Sequence, residues 1–221
     1  MRAMILAAGK GTRLAPLTDK TPKPMLPLAG VPLIERQVKA LAAAGVEQIV
    51  INLHHLSEKI TDHLGDGARF GIEVRYSHEH QILETGGGIV KALPLLDYQP
   101  FWLLNGDIWT DFPFDTLPQK PASPDLAHLV LTPRPASRAK GDFSYADGRV
   151  LERGHDYVYC GIAALDPALF AGIDPTFFSL RDLYFEAINQ QRLSAQVHLG
   201  QWHDIGTPEE YRALAAKLES A

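Results

Sequence analysis

The most informative segment of this sequence is Leu6-Ala7-Ala8-Gly9-Lys10-Gly11-Thr12-Arg13, followed by Pro22-Lys23-Pro24. It begins where the first apolar run ends, and such a run is typical of a buried strand in a parallel sheet. Its two glycines allow backbone N–H groups to turn toward an anion, because no Cβ blocks the approach. The arginine contributes a planar, permanent charge that suits phosphate oxygens, and the lysine contributes a mobile one. The stretch therefore predicts a phosphate-binding loop where an α/β protein holds a nucleotide.

Length and composition fit one globular α/β domain: 221 residues, of which 46% are hydrophobic and 21% charged. The formal net charge of −5 argues against nucleic acid or an anionic membrane as the main partner. The single cysteine, Cys160, excludes an internal disulfide and has no visible activating neighbour, which predicts a packed side chain rather than a nucleophile. No run approaches the roughly twenty apolar residues of a membrane span. We therefore expect a cytoplasmic protein with neither a nucleic-acid nor a membrane partner.

Hydrophobic patterning predicts alternating strands and helices in the first half of the chain and a different arrangement in the second. The first-half strands are expected at residues 3–7, 48–53, 72–76 and 101–104, with helices at 33–44, after Ser57 and at 85–93. The second-half strands are expected at 126–132, 143–146, 149–152, 157–165, 196–198 and 202–204, with helices at 180–190 and from Pro208. Such alternation predicts a three-layer α/β/α, Rossmann-like fold with a mixed, mostly parallel sheet.

Two aspartates follow short apolar strands and are candidate metal ligands. Asp107 ends Asn105-Gly106-Asp107 just after a predicted strand, where open α/β sheets bind ligands. By itself, Asn-Gly-Asp more often serves as a simple strand-ending turn. Asp204 precedes a glycine turn and a proline-opened helix, where it could instead cap its own turn. Because Mg²⁺ usually takes one or two carboxylates together with phosphates and waters, we expect the two aspartates to form the Mg²⁺ pair.

Several motifs together resemble the sugar-1-phosphate nucleotidylyltransferase family. They are G-x-G-T-R at residues 9–13 with P-K-P at 22–24, the segment 77–88 ending in Leu-Glu-Thr-Gly-Gly-Gly, and W-x-D-x-G-T-P at 202–208. A pattern in several parts is far more specific than a lone glycine pair. The resemblance covers nearly the whole chain and implies the nucleotide-diphospho-sugar transferase fold as one domain over 1–221. Roughly 1–110 would then be the nucleotide-binding half and 111–221 the sugar-binding half.

The resemblance also implies a reaction and a set of site residues. A nucleoside monophosphate would pass from an NTP to a sugar 1-phosphate, with Mg²⁺ as cofactor and pyrophosphate as second product. The expected catalytic residues are Arg13, Lys23, Asp107 and Asp204, of which the two aspartates would hold the metal. The expected nucleotide contacts are Ala7, Gly9, Gly11, Thr12, Arg13, Lys23, His80, Thr85 and Asn105. The expected sugar contacts are Asn105, Gly141, Asp142 and Glu152, although Asp142 and Glu152 fit ordinary hairpin-surface charges almost equally well.

Among compact members of the family, residues 4–13 and 83–88 look most similar to uridylyltransferases of N-acetylmuramate 1-phosphate, which act in peptidoglycan recycling. This implies UTP as the nucleotide, although Asp142 would repel the lactyl carboxylate of that sugar. Guanylyltransferases of mannose 1-phosphate are the nearest alternative. A glycosyltransferase is disfavoured because Asp107-Ile108-Trp109 lacks the second aspartate of the Asp-x-Asp metal motif. A non-catalytic nucleotide-sensing subunit is disfavoured because every expected catalytic residue is present. Longer relatives often trimerise through an appended β-helix that this sequence lacks, so a monomer is expected.

Overall fold

The computed structural model describes residues 1–136 and 138–220. The strands are β1 (Arg2–Leu6), β2 (Pro27–Leu28), β3 (Val31–Pro32), β4 (Gln48–Leu53), β5 (Glu73–His78), β6 (Phe101–Asn105), β7 (Ile108–Thr110), β8 (Ala127–Pro133), β9 (Phe143–Ala146), β10 (Arg149–Arg153), β11 (Tyr157–Leu165), β12 (Leu193–Val197) and β13 (Trp202–Asp204). The α-helices are α1 (Leu33–Ala43), α2 (Ser57–Leu64), α3 (Glu84–Ala92), α4 (Leu180–Asn189) and α5 (Pro208–Glu219). No helix within the described ranges is long and apolar enough to cross a membrane.

Nine strands of the described chain form the main sheet, in the order β5-β4-β1-β6-β11-β8-β12-β10-β9. The pairs β5–β4, β4–β1, β1–β6 and β8–β12 are parallel. The pairs β6–β11, β11–β8, β12–β10 and β10–β9 are antiparallel. Strand β11 also pairs antiparallel with β9, so the sheet is mixed, as predicted, but four of its nine pairings are parallel rather than most of them. The difference arises because β11 runs antiparallel to both of its neighbours in the centre of the sheet.

Helices cover both faces of the sheet, which confirms the predicted three-layer α/β/α architecture. Successive side chains of a strand point to opposite faces. In β1, Ile5 accordingly packs with Ile34 of α1 in one apolar core. The neighbouring Met4 packs with Ile89 of α3 and Leu180 of α4 in the other core. Burial of each such side chain contributes roughly 1.5–3 kcal/mol, so both faces of this strand hold helices in place.

A small two-stranded sheet brings the C-terminal part of the chain back to the end of β6. Strand β13 pairs antiparallel with β7, so that Asp204 lies opposite Ile108, and the Ile205 N–H donates to the Asp107 carbonyl at 3.0 Å. Helix α5 follows at once, with a capping box formed by Thr207 and Glu210. The turn between β6 and β7 and the end of β13 are therefore held side by side.

The last strands depart from the sequence prediction in register. Strand β12 spans Leu193–Val197, earlier in the chain than the predicted 196–198. In the β9–β10 hairpin, Val150 pairs with Tyr145 but Glu152 pairs with Ser144, so the register shifts by one residue in a β-bulge. A bulge re-aims the side chains that follow it. This shift decides which residue of β10 reaches the cavity described next.

Candidate active site

Two adjoining cavities open at the carboxyl ends of β1 and β6, where ligand sites of open α/β sheets form. The first has a volume of about 310 Å³ and lies between the phosphate-binding loop and the start of α3. The second has about 300 Å³ and extends toward β11 and the start of α4. The residues that line both are Leu6, Arg13, Thr85, Asn105 and Asp107. The pair of cavities can therefore hold two ligands that meet at this shared wall.

The predicted phosphate-binding loop forms one wall of the first cavity. Gly11 adopts a φ of +66° just before a 3₁₀ turn at Thr12–Leu14, and a Cβ there would lie 3.0 Å from Cγ2 of Thr18. The Thr18 hydroxyl donates to the Gly11 carbonyl at 2.8 Å, which fixes the loop. A glycine is needed here because both its backbone angle and the close packing disfavour a side chain. The expected nucleotide contacts that line this cavity are Ala7, Gly9, Gly11, Thr12, Arg13, Lys23, Thr85 and Asn105.

Lys23 and Asp107 form an ion pair on the floor of the first cavity. The Lys23 ammonium lies 2.7 Å from Oδ2 of Asp107, and the lysine is 8% exposed. A charged group with so little contact with water interacts strongly with other charges nearby, because the local dielectric constant is low. This pair brings together two residues that the sequence predicted to be catalytic.

Asp204 lies beside Asp107 and has a cation of its own. Its Oδ2 is 2.7 Å from the Arg138 guanidinium, which also stacks over the Trp202 ring at 5.3 Å. Burial and the nearby negative charge of Asp107 raise the pKa of Asp204, while Lys23, Arg138 and Arg13 act to lower it. Sequence reasoning missed Arg138, because only the fold brings it to Asp204.

The two aspartates fit a magnesium ion. Within residues 1–136 and 138–220, no group of three or more His, Cys, Asp or Glu is placed to hold a metal. Mg²⁺ does not require such a group, because it is commonly bound by one or two carboxylates with phosphates and waters. Asp107 and Asp204 offer hard oxygen donors, and they lie close enough for the charge of Asp107 to raise the pKa of Asp204. A cation bound by both carboxylates would offset the repulsion between their negative charges.

Glu79, not the expected His80, lies at the other end of the first cavity. Asn52 accepts from the Ala7 N–H at 2.8 Å and donates to Oε1 of Glu79 at 2.7 Å. Oε2 of Glu79 accepts from the Leu83 N–H at 3.0 Å, so this buried network ties the loop before α3 to the end of β1. The alternation of side-chain direction along the chain continues past the end of β5, so that Glu79 points inward and His80 points outward to solvent. The expected contact of His80 with a nucleotide base is therefore not supported by its position.

Thr85 and Gly88 connect this network to the second half of the chain. The Thr85 hydroxyl accepts from the Leu180 N–H at 2.9 Å, so it binds the start of α4 and lies on the wall shared by both cavities. At Gly88, a Cβ would lie 2.7 Å from Oε1 of Glu79 and 2.9 Å from Nδ2 of Asn52. The glycine-rich start of α3 thus permits the close approach of the buried polar pair.

The expected sugar contacts divide into two groups. Gly141 and Asp142 line the second cavity, where Oδ2 of Asp142 accepts from the Tyr159 N–H at 3.0 Å. Glu152 is exposed and lines neither cavity, whereas its neighbour Arg153 lines the second. The bulge in β10 is the reason: cross-strand partners share a face, and Arg153 pairs with the cavity-lining Phe143. The expected sugar contact of Glu152 is therefore not supported by its position, and a residue of opposite charge lines the cavity instead.

Gln37 of α1 supports the Asn105–Asp107 turn from behind, and sequence reasoning missed it. Its Nε2 donates to the carbonyls of Asn105 at 2.9 Å and Ile108 at 3.0 Å, and the residue is 6% exposed. A glutamine among the apolar positions of a predicted helix was the available indication. This amide fixes the two ends of the turn that presents Asp107.

Replacing Gln37 by leucine is expected to destabilise the chain by about 1–3 kcal/mol, because a buried carbonyl and a partly buried one lose this donor. We also expect a higher Mg²⁺ requirement, since the Asp107 turn loses its support. Urea unfolding and a Mg²⁺ titration of turnover measure the two effects. The exposed Gln119→Leu is the control. Unchanged stability together with an unchanged Mg²⁺ requirement would show that Gln37 does not position the turn.

Cys160 is fully buried in β11, and burial raises the pKa of its thiol well above the ordinary range. Only the thiolate reacts readily with alkylating reagents. We therefore expect no alkylation of the native protein by iodoacetamide at pH 8, and one modified thiol per chain after denaturation. Intact mass spectrometry measures both. Alkylation of the native protein as fast as of free cysteine would contradict the assignment of Cys160 as a packed side chain.

Comparison with known proteins identifies the family. The model of the nucleotidyl transferase family matches residues 2–141, which include the phosphate-binding loop, Lys23 and Asp107. The chain belongs to this family. This nucleotidyl transferase is 43% identical to an N-acetylmuramate alpha-1-phosphate uridylyltransferase of Neisseria meningitidis, over 97% of this chain and 98% of that one. It is 31% identical to a catalytic subunit beta of mannose-1-phosphate guanylyltransferase from Drosophila melanogaster, over 95% of this chain but 60% of the relative.

Solved structures also resemble this nucleotidyl transferase. A Bacillus anthracis protein described as a glucose-1-phosphate thymidylyltransferase, in complex with a sucrose, superposes with a TM-score of 0.88. It covers 100% of this chain, is itself covered to 96%, and is 18% identical. At that identity the similarity establishes the fold alone. The nucleotide-diphospho-sugar transferase fold expected from the sequence is thereby confirmed.

Proposed function

We propose that this nucleotidyl transferase transfers UMP from UTP to N-acetylmuramate 1-phosphate in the presence of Mg²⁺, giving the UDP-sugar and pyrophosphate. The observation that carries the proposal is the pair of cavities that meet at Arg13, Asn105 and Asp107. One cavity suits the nucleotide and the other the sugar, and the phosphates to be joined would meet at the shared wall. The choice of base and sugar is supported by the Neisseria meningitidis relative, which this chain matches over nearly its whole length.

The reaction joins two polyanions. A phosphate oxygen of the sugar 1-phosphate attacks the α-phosphorus of UTP, the bond from that phosphorus to the bridging oxygen breaks, and pyrophosphate leaves with the electron pair. The attacking phosphate is already anionic at neutral pH, so a general base is not needed. Catalysis then depends on alignment of the reactants and on neutralisation of their charge. The cations that line this site supply what the chemistry requires.

Each catalytic residue has a position suited to a role. The backbone N–H groups of Gly11 and Thr12, with Arg13, would hold the leaving β- and γ-phosphates. Lys23 would stabilise the charge that develops on the α-phosphate, since it lies beside Asp107 on the floor of the cavity. Asp107 and Asp204 would hold Mg²⁺, which when bound neutralises phosphate charge and orients the reacting groups. Arg138 would keep Asp204 in place, being bound to it already.

The wider setting follows from the chemistry of the sugar. N-acetylmuramate is a component of peptidoglycan, so we place the reaction in the reuse of cell-wall sugars in the cytoplasm. The monomeric state and the division into a nucleotide-binding half over 1–110 and a sugar-binding half over 111–221 stay predictions.

A panel assay tests the proposed function. The purified chain is incubated with Mg²⁺, each of five NTPs and a set of sugar 1-phosphates, and pyrophosphate release is measured. We expect release with UTP and N-acetylmuramate 1-phosphate. Release with GTP and mannose 1-phosphate instead would keep the chemistry but replace the substrates, an alternative favoured by the Drosophila melanogaster relative. Nucleotide binding without release in any combination would favour a sensing subunit.

A further inference from the structure

Two arginines that line the second cavity but not the first have no partner within the described residues. They are Arg153 and Arg181, and neither guanidinium forms a hydrogen bond or salt bridge there. The Arg153 guanidinium only lies over the Phe185 ring, 5.9 Å from its centroid. Lys23 is paired with Asp107 and Arg138 with Asp204, whereas Arg13, which also has no such partner there, lies on the wall shared with the first cavity. Away from the shared wall, the second cavity thus holds two cations whose charge the protein itself leaves unbalanced.

The β-bulge is what brings Arg153 into the cavity. In a regular strand Val150 and Glu152 would share a face, and Arg153 would point away from it. The extra residue, Leu151, reverses the order, so that Arg153 lies opposite Phe143 on the cavity side. The backbone irregularity therefore replaces a carboxylate by a guanidinium at this wall, and bulges of this kind commonly serve binding sites.

The carboxylate of Asp142 does not cancel this positive charge. It is directed to the backbone of β11, where Oδ2 accepts from the Tyr159 N–H. Asp107 and Asp204 are each paired with a cation of their own. Although the whole chain carries a formal charge of −5, this part of the cavity is positive. A positive pocket raises the local concentration of anionic ligands.

The location separates these arginines from the reacting phosphates. Arg13 and Asp107 line both cavities, so the phosphates meet there, whereas Arg153 and Arg181 line the second cavity and not the first. The anion that they would bind therefore belongs to the sugar itself. Guanidinium groups bind carboxylates through paired hydrogen bonds of fixed geometry.

We propose that Arg153 and Arg181 form a carboxylate-binding subsite for an acidic substituent on the sugar ring, which in N-acetylmuramate 1-phosphate is the lactyl carboxylate. This inference rests on the proposed function and adds to it the residues that select the sugar. It also removes the electrostatic objection to Asp142, since the substrate carboxylate lies against two arginines. A neutral sugar would leave both cations without an anion, and the subsite would discriminate against it.

The test compares two sugar 1-phosphates that differ in the lactyl group. N-acetylmuramate 1-phosphate and N-acetylglucosamine 1-phosphate are titrated by calorimetry and assayed for turnover with UTP and Mg²⁺. The proteins are the wild type, Arg153→Gln, Arg181→Gln and, as a matched control on exposed α5, Arg212→Gln. Arg153→Lys keeps the charge and the stem, and thermal melting of each variant reports folding.

We expect each glutamine variant to weaken binding of N-acetylmuramate 1-phosphate about 10- to 100-fold, as loss of a charge-assisted hydrogen bond does. The loss should appear in KM rather than kcat, because the contact exists before and during reaction. Binding of N-acetylglucosamine 1-phosphate should change little, and Arg153→Lys should recover part of the preference. Arg212→Gln should behave as wild type.

Three results would overturn the subsite. The first is an equal loss of affinity for both sugar 1-phosphates in the glutamine variants, which would mean that the arginines bind the phosphate instead. The second is unchanged binding of N-acetylmuramate 1-phosphate in both glutamine variants. The third is a wild type that shows no preference for the acidic sugar. Failure of the proposed function gives a different result. In that case N-acetylmuramate 1-phosphate would bind in an arginine-dependent way without pyrophosphate release, and the subsite would stand.

Discussion

Lys23→Ala is expected to lower kcat about a hundredfold or more with both substrates saturating, because a preorganised charge at the reacting phosphate is lost. Lys23 is 8% exposed and its ammonium lies 2.7 Å from Oδ2 of Asp107, so water cannot easily replace it. Pyrophosphate release at fixed Mg²⁺ measures the effect. Lys20→Ala, an exposed lysine of the same loop, is the matched control and should retain full turnover.

The pairing of Lys23 with Asp107 gives this prediction a second part. The fold loss of kcat in the double variant Lys23→Ala/Asp107→Asn should be far smaller than the product of the losses in the two single variants. The reason is that the effects of residues that act as a unit are not additive in free energy. The melting temperature of each variant should stay near that of the wild type, although kcat falls. Near-normal turnover of folded Lys23→Ala would remove this lysine from the mechanism. Strictly multiplicative losses would mean that the two side chains act independently.

The parts of the fold that could be predicted from sequence depend on local patterns. Strand β4 was predicted with its observed bounds, because its short length and its β-branched residues Ile49–Ile51 favour a strand over a helix. The phosphate-binding loop was equally accessible, since the φ of Gly11 and the packing of Thr18 involve residues seven apart. The order of strands was not, because it depends on which distant segments pair. The antiparallel position of β11 between β6 and β8 therefore could not be derived.

The site residues show the same division. His80 and Glu152 were each chosen one position away from the residue that faces a cavity. For His80, strand alternation continued past the end of β5 and turned Glu79 inward. For Glu152, a bulge reversed the alternation, and bulges depend on the pairing of two strands rather than on one sequence. A shift of one residue exchanges the side chains on the two faces of a strand, so the residue chosen from sequence then points to the opposite face from the cavity.

Long-range supporting residues were beyond sequence reasoning altogether. Gln37 binds the backbone of a turn nearly seventy positions later, and Arg138 binds Asp204 over a similar separation. The one local indication is that Gln37 is a polar residue among the apolar positions of a predicted helix. What each residue contacts becomes visible only when the strands are assembled, since each holds a candidate catalytic group rather than forming a motif.

Asp107→Asn and Asp204→Asn are each expected to lower kcat/KM about a hundredfold or more, because an amide neither neutralises nor holds a divalent cation as a carboxylate does. The Mg²⁺ concentration for half-maximal turnover should rise in both. Calorimetry of UTP binding with and without Mg²⁺ gives a readout independent of turnover. Wild type should bind UTP more tightly with the metal, and both variants should lose that gain.

The two substitutions should differ in what they leave behind. Asp107→Asn leaves Lys23 without its carboxylate, on the wall shared by both cavities, so it should weaken both substrates' productive binding. Asp204→Asn leaves Arg138 unpaired beside the second cavity alone, so its effect should concentrate on the sugar phosphate. Asp19→Asn, an exposed aspartate between Arg13 and Lys23, is the control. If either variant kept wild-type turnover at limiting Mg²⁺, that carboxylate would not be a metal ligand, and the remaining one would have to hold the ion with phosphates and waters alone.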